Sequence, residues 1–200
     1  MKTEERVGAD DAVRVLGIAG SLRRASYNRR LLRAAVRLSP AQLDLTVWDR
    51  LKLLPPFDED DEHDPAAVVL ELRAAIAASD ALLVVTPEYN GSLPGQLKNA
   101  LDWASRPRAE SVLHQKPAVV LAASPSRSGG RSAQADTRRV LARAGARLIE
   151  RELGVAQAHA RFGPDGELND DVLRRELVEL LTELYEELAA VSAASTHLAR

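Results

Sequence analysis

Hydrophobic positions in this 200-residue chain follow two alternating patterns. Short runs rich in valine, leucine and isoleucine are separated by longer stretches whose apolar residues recur at helical spacing. Continuous apolar runs bounded by polar loops are typical of strands that a sheet buries on both faces. The runs predict strands at residues 13–19, 43–48, 81–86, 117–123 and, less clearly, 147–155.

The stretches between these runs predict amphipathic helices. Leu93, Leu97 and Leu101 lie on one helical stripe. The last helix carries a longer stripe, formed by Leu173, Leu177, Leu180, Leu181, Leu184 and Leu188. Strand and helix alternate five times, which predicts an α/β protein with a doubly wound five-stranded parallel sheet in three α/β/α layers. We expect the flavodoxin-like strand order 2-1-3-4-5.

The chain length fits one domain with a substantial core. We place this domain at residues 12–192 and expect residues 1–11 and 193–200 to form mobile tails. Residues 55–64, rich in Asp and Glu, predict a long polar loop, and Pro65 is suited to begin the next helix.

Composition narrows the possible functions. A net charge of −2 gives no reason to expect binding to nucleic acid or to an anionic membrane. The chain has no cysteine, which excludes disulfides, thiolate nucleophiles and cysteine-bound metal clusters. Redox chemistry would therefore need a bound cofactor. The charged N-terminal segment lacks the apolar core of a secretory signal, and we predict a cytoplasmic location.

The loop after the first predicted strand, residues 20–28, is suited to a phosphate. Ser21 and Ser26 offer hydroxyls, Asn28 an amide, and Arg23 a guanidinium that matches phosphate oxygens. The helix that follows would present unpaired N–H groups at its first turn. Walker A and three-glycine patterns are absent, which favours a single phosphate monoester. The alternative is an ordinary helix start with Ser26 as the N-cap.

The loop after the third predicted strand, residues 87–91, combines main-chain donors and acceptors with a tyrosine and an asparagine. Such groups suit the edge of a planar heteroaromatic ring. Glu88 is a candidate catalytic acid, although a single loop carboxylate is more often structural. Tyr89 could stack on a ligand or pack at a subunit contact, and we assign Trp103 to the core or an interface.

The loop after the fourth predicted strand, residues 124–130, is rich in serine and glycine, which allow the main chain to approach a ligand closely. A flexible connection would have a similar sequence. Neither Ser124 nor Ser126 lies in a glycine-flanked nucleophile elbow. The four histidines are scattered without metal-ligand spacing, so we predict no metal site.

Together these segments resemble the NADPH-dependent FMN reductase family, flavodoxin-like flavoproteins that include chromate and quinone reductases and azoreductases. The resemblance covers residues 13–155 and rests on three motifs in order. They are Gly20-Ser21-Leu22-Arg23-Arg24-Ala25-Ser26-Tyr27-Asn28, then Pro87-Glu88-Tyr89-Asn90 with Pro94-Gly95-Gln96-Leu97-Lys98-Asn99-Ala100-Leu101-Asp102-Trp103, then Ser124 with Gly129-Gly130.

The resemblance implies FMN as the bound cofactor and NADPH or NADH as substrate, in a homodimer or homotetramer. It implies that Ser21, Arg23, Ser26 and Asn28 hold the FMN phosphate. It also implies that Pro87, Glu88, Tyr89, Asn90 and Gly91 line the isoalloxazine ring and that Ser124 closes the site. Arg127 or Arg131 could meet a 2′-phosphate, or both could be exposed arginines without such a role.

The implied reaction passes a hydride from NAD(P)H to FMN N5 and then reduces a quinone, a flavin, an azo compound or chromate. No catalytic side chain is required. Two alternatives share the flavin loops: a non-enzymatic FMN electron-transfer module and an arsenical-resistance-type flavoprotein.

Overall fold

The computed structural model describes residues 12–198, with side chains up to residue 191. Its five strands all run parallel, in the order β2-β1-β3-β4-β5, which confirms the predicted sheet and strand order. The strands are β1 (Val13–Ala19), β2 (Leu43–Trp48), β3 (Ala81–Thr86), β4 (Pro117–Ala123) and β5 (Arg147–Val155).

Five α-helices cover the two faces of this sheet. They are α1 (Tyr27–Leu38), α2 (Ala67–Ala78), α3 (Gly95–Ala104), α4 (Arg131–Arg143) and α5 (Asp171–Leu198). The predicted leucine stripe of α5 packs with α1 in one core. Helices α2, α3 and α4 form a second core on the opposite face. The molecule therefore has the predicted three α/β/α layers.

Burial explains why some strands were easier to predict than others. Every residue of β3, in the middle of the sheet, is buried. At the sheet edge, β5 exposes Glu150, Arg151 and Glu152 between its buried positions. These exposed charged residues interrupt the apolar run, which is why the sequence pattern was weak there.

One detail of the prediction is corrected by the structure. Helix α2 begins at Ala67, two residues after Pro65. The loop before it is held by α3, because Asn99 donates to the Pro55 carbonyl and accepts from the Phe57 N–H at 2.7 Å. Trp103 is fully buried, as predicted for a core residue, and its indole N–H also donates to Pro55.

The structure covers only part of the two predicted tails. Residues 1–11 lie outside the described residues, and so do the last two. Helix α5 extends to Leu198, through most of the segment that we expected to be a mobile tail. Among residues 12–198, no helix combines the length and the apolar character needed to span a bilayer.

Candidate functional site

The carboxyl ends of β1, β3 and β4 lie side by side, and this arrangement brings the three candidate loops to one edge of the sheet. Contacts between the loops show their proximity directly. The Ser21 Oγ lies 3.5 Å from the Tyr89 hydroxyl. The Glu88 carboxylate accepts a hydrogen bond from the Ser132 N–H, just beyond the third loop. The structure therefore brings Ser21, Glu88 and Tyr89 close together, and their contact with a cofactor stays a prediction.

The first loop has main-chain donors without protein partners. In the described part of the chain, the N–H groups of residues 21–25 make no hydrogen bond. Five consecutive unpaired N–H groups beside a helix N-terminus form a favourable site for an anion. Ser21 is buried here, with 4% of its surface exposed. The loop thus offers an anion both main-chain donors and a buried hydroxyl.

Ser26 is the N-cap of α1. Its Oγ accepts hydrogen bonds from the N–H groups of Asn28 and Arg29, at 3.2 and 3.4 Å. The helix-capping alternative is therefore correct as a description of its protein contacts. A hydroxyl that accepts two bonds can still donate its own proton, so a contact from Ser26 to phosphate stays a prediction.

Asn28 joins α1 to β4 across the sheet. Its Nδ2 donates to the Ala123 carbonyl at 2.9 Å, and its Oδ1 accepts from the Ala123 N–H at 2.9 Å. The side chain is buried. These bonds occupy the Oδ1 and one amide proton, which identifies Asn28 mainly as a brace for the loop. Direct contact with phosphate stays a prediction, and only the second amide proton remains for it.

The second loop is a tight turn. Tyr89 and Ser92 exchange main-chain hydrogen bonds of 2.9 and 3.1 Å. Between them, Asn90 and Gly91 have φ angles of 52° and 77°. Positive φ at both central residues, with an Asn-Gly pair, is typical of a type I′ turn. The N–H groups of Glu88, Asn90 and Gly91 have no partner within residues 12–198.

Glu88 caps helix α4. Its Oε2 accepts from the Ser132 and Ala133 N–H groups at 3.1 and 3.4 Å. A carboxylate at a helix N-terminus also interacts favourably with the helix dipole. The structural interpretation of Glu88 thus has geometric support, whereas a proton-transfer role has none.

Glycine shapes the third loop. Gly129 and Gly130 have φ angles of 65° and 88°. A side chain at Gly130 would also place its Cβ 2.9 Å from the Ala122 Cβ. The Ser124 Oγ contacts the Ser126 Oγ at 2.9 Å, and Ser126 in turn contacts Ser128 at 2.8 Å. The loop therefore presents serine hydroxyls on a main chain that packs closely against β4 and β5.

Comparison with known proteins decides the family. The family model for NADPH-dependent FMN reductase matches residues 13–160. The chain belongs to this family.

Three relatives illustrate the similarity. An NAD(P)H-dependent FMN reductase of Pseudomonas aeruginosa is 39% identical over 87% of this chain and 94% of its own. A 2-hydroxy-1,4-benzoquinone reductase of a Burkholderia species is 36% identical over 83% of this chain and 91% of its own. The solved structure of FerB, a flavoenzyme NAD(P)H:(acceptor) oxidoreductase from Paracoccus denitrificans, has a TM-score of 0.82 and 32% identity, covering 90% of this chain and 98% of that one.

The donors at this edge fit the cofactor that gives the FMN reductase family its name. Unpaired N–H groups and hydroxyls suit a phosphate, and the free N–H groups of the second loop suit the oxygen and nitrogen atoms along a flavin edge. The one carboxylate in these loops, that of Glu88, is already bound by α4. Across residues 12–191, no group of three His, Cys, Asp or Glu side chains could hold a metal ion.

Sequence reasoning missed two supporting residues of this FMN reductase. Asp136 accepts a hydrogen bond of 2.6 Å from the Ser92 Oγ and so anchors the second loop on α4. The Ser92 hydroxyl and the Arg139 guanidinium lower the pKa of Asp136. Gln134, buried in the same helix, donates to the Val120 carbonyl at 2.7 Å. The hydrogen-bonded partners, Ser92 with Asp136 and Val120 with Gln134, are far apart in sequence. These contacts are therefore visible only in the folded structure.

Proposed function

We propose that this FMN reductase family member uses NAD(P)H to reduce a quinone, through FMN held by the loops after β1, β3 and β4. The observation that carries the proposal is a set of five consecutive N–H groups, at residues 21–25, that have no partner among residues 12–198. They lie beside the second loop, whose N–H donors at Glu88, Asn90 and Gly91 are likewise without a partner there. A quinone acceptor is supported by the relative named 2-hydroxy-1,4-benzoquinone reductase. The overall change converts NAD(P)H, a proton and the quinone into NAD(P)⁺ and the quinol.

The chain's own part in this reaction is binding and electrostatics. The bound flavin supplies the hydride chemistry. The N–H groups of residues 21–25 and the Ser21 hydroxyl would hold the phosphate. Arg23 is exposed, and its guanidinium, which has no partner among the described residues, is free to turn toward the phosphate. The N–H groups of Asn90 and Gly91 would donate to the ring edge, where they stabilise negative charge.

Tyr89 would border the open side of the ring. The residue is 46% exposed, and its hydroxyl lies 3.5 Å from the Ser21 Oγ. Pro87, in contrast, is buried and would set the ring's position by shape. Ser124, 8% exposed, would close the opposite end.

The assembly and location remain part of the proposal. We propose a homodimer or homotetramer, because the family resemblance implies one and because Tyr89 leaves an exposed aromatic ring at the site. We also propose that the protein works in the cytoplasm, where NAD(P)H is regenerated.

A spectrum and a turnover assay test this proposal together. FMN-loaded protein should be yellow, bleach with NADPH in the absence of oxygen, and recover its colour when 1,4-benzoquinone is added. Steady oxidation of NADPH should require both the flavin and the quinone. A protein that binds FMN but consumes neither NADPH nor NADH would overturn the proposal.

Arg23→Ala tests the phosphate assignment, and Arg175→Ala, an exposed arginine on α5, serves as its matched control. Loss of a charged hydrogen bond should weaken FMN binding about tenfold. Arg175→Ala should bind FMN as the parent protein does. Full FMN occupancy of Arg23→Ala under dilution would remove Arg23 from the phosphate site.

A further inference from the structure

A cavity of about 570 Å³ lies on the β2 side of the loop at residues 20–26. We call it the β2-side cavity. Its walls come from this loop, α1, the end of β2 and the short 3-10 helix Leu51–Leu53. Ser21 borders it, so the cavity adjoins the proposed phosphate site. No residue of the second or third loop lines it, so a flavin ring bound at those loops would leave it free.

The walls of the β2-side cavity are cationic. Arg24, Arg33 and Lys52 line it, and none of their side chains forms a hydrogen bond or an ion pair within the described residues. Arg29 also lines it, 3.8 Å from Asp49, the one carboxylate among the lining residues. Three cationic side chains without partners in the described part of the chain favour an anionic ligand.

Apolar surface is exposed in the same place. Val47 is 46% exposed and Leu22 42%, and both line the cavity beside buried Leu51. A pocket with apolar walls and a few convergent charges is typical of sites for small organic ligands. Inorganic phosphate would leave this apolar surface in water, whereas a nucleoside phosphate would cover it with its base.

We propose that the β2-side cavity binds the adenosine phosphate part of a dinucleotide, with Arg24, Arg33 and Lys52 on its phosphates. The inference rests on the proposed function, and two dinucleotides used by flavoenzymes have this chemistry. One is NADPH, whose adenosine carries a 2′-phosphate. The other is FAD, whose adenylate continues from the flavin phosphate held at Ser21. The site would set the preference for NADPH over NADH in the first case, and for FAD over FMN in the second.

The double variant Arg24→Ala/Arg33→Ala tests the proposal, with Lys52→Ala as an independent variant from another element. Arg175→Ala is the control, because it is an exposed arginine on a helix that does not line the cavity. All of these side chains are exposed, so folding should be retained, and a thermal melt checks it. Wild-type protein loaded with FMN provides the reference.

The first arm measures KM for NADPH and for NADH with 1,4-benzoquinone, together with the Kd of 2′,5′-ADP. If NADPH is the ligand, the double variant and Lys52→Ala should raise the NADPH KM and the 2′,5′-ADP Kd about tenfold. The NADH KM and kcat should change less than about twofold. The second arm measures FAD and FMN binding to the apoprotein. If FAD is the ligand, the double variant and Lys52→Ala should raise the FAD Kd about tenfold and leave the FMN Kd unchanged.

Either of these results supports the proposed site and identifies which dinucleotide binds there. Unchanged KM and Kd values in both arms would overturn the inference. Weaker binding of FMN alone, with the NADPH KM, the 2′,5′-ADP Kd and the ratio of FAD to FMN affinity unchanged, would also overturn it. Loss of NADPH preference in Arg127→Ala, with the cavity variants unaffected, would likewise overturn it. Failure of the proposed function would be visible separately, because the wild-type protein would then not reduce its flavin with either NADPH or NADH.

Discussion

Polar side chains around the site mostly hold its loops in place. Ser26 caps α1, Asn28 ties α1 to β4, and Glu88 caps α4. What they leave available to a ligand is largely main-chain N–H groups and a few hydroxyls. Such a site suits a reaction whose chemistry is carried by a cofactor, because the protein has only to bind, orient and stabilise charge.

A substitution at Glu88 tests whether the protein only binds and orients the cofactor or also transfers protons. Glu88→Gln keeps an acceptor for the Ser132 and Ala133 N–H groups, so turnover should stay within about twofold of the parent protein. A general acid or base would contribute about 10² to 10⁴ in rate. Steady-state NADPH oxidation with 1,4-benzoquinone measures the difference. A hundredfold fall in kcat for Glu88→Gln would instead give Glu88 a role in proton transfer.

Asn28 should matter for stability. Asn28→Ala removes both partners of the Ala123 main chain in a buried position. Leaving a buried donor and acceptor unpaired costs about 1–3 kcal/mol. Urea unfolding should show this as a lower midpoint at an unchanged m-value. Thr182→Ala, at a more exposed hydrogen bond on α5, should cost less than about 0.5 kcal/mol, and an equal cost for both variants would contradict the bracing role.

These residues also show what a sequence can and cannot reveal about a site. The residue types and loops were predictable, because hydroxyl, amide and glycine residues follow buried strands at recognisable spacing. The partner of Asn28 lies 95 positions away, and those of Glu88 lie 44 and 45 positions away. Such pairs depend on how strands are ordered in space, and local pattern carries no information about them.

Strands and helices were the most predictable level of the structure. All five strands have the expected bounds, because burial on both faces demands an apolar run. The start of α2 was misplaced by two residues because proline is also compatible with the extended segment before a helix. The β2-side cavity was not predictable, since Lys52 follows β2 while Arg24 and Arg33 belong to the α1 region.

Helix α5 begins with a pH-sensitive cap. The Asp170 Oδ1 accepts from the Val172 and Leu173 N–H groups, both at 3.0 Å, and Oδ2 meets the Arg161 guanidinium at 2.6 Å. The Leu173 N–H contributes most to lowering the pKa of Asp170, against a smaller opposing effect of burial; Arg161 and Val172 lower it further. Because the folded-state pKa is lowered, this cap stabilises the protein above the unfolded pKa and is lost as the pH falls through the folded one.

Asp170→Ala should therefore destabilise the protein by about 1 kcal/mol at pH 7, the usual cost of losing an N-cap. The difference from the parent protein should shrink as the pH falls below about 4, where the carboxyl of the unfolded chain takes up its proton. Urea unfolding at a series of pH values measures this. Asp170→Asn keeps a capping oxygen and should lose less at pH 7. A difference between Asp170→Ala and the parent that is independent of pH would contradict the assignment.

Charge is unevenly distributed over the whole molecule. The net charge is only −2, yet residues 20–43 contain six arginines and no acidic residue. This basic segment surrounds both the unpaired N–H groups and the β2-side cavity. A local positive potential raises the encounter rate of anionic ligands even on a nearly neutral protein. The overall composition concealed this feature, because the acidic loop at residues 55–64 balances it.

Ligand binding to this edge should stabilise the entire fold, since the loops belong to three strands of one sheet. FMN at one hundred times its Kd would add about 2.7 kcal/mol. For a domain of this size, that corresponds to a rise in Tm of about 5–11 °C. Riboflavin has the same ring but lacks the phosphate that the N–H groups of residues 21–25 would bind. At the same concentration it should raise Tm much less, and Arg23→Ala should narrow the gap between the two ligands. Equal shifts for FMN and riboflavin in a thermal melt would mean that these N–H groups bind no phosphate.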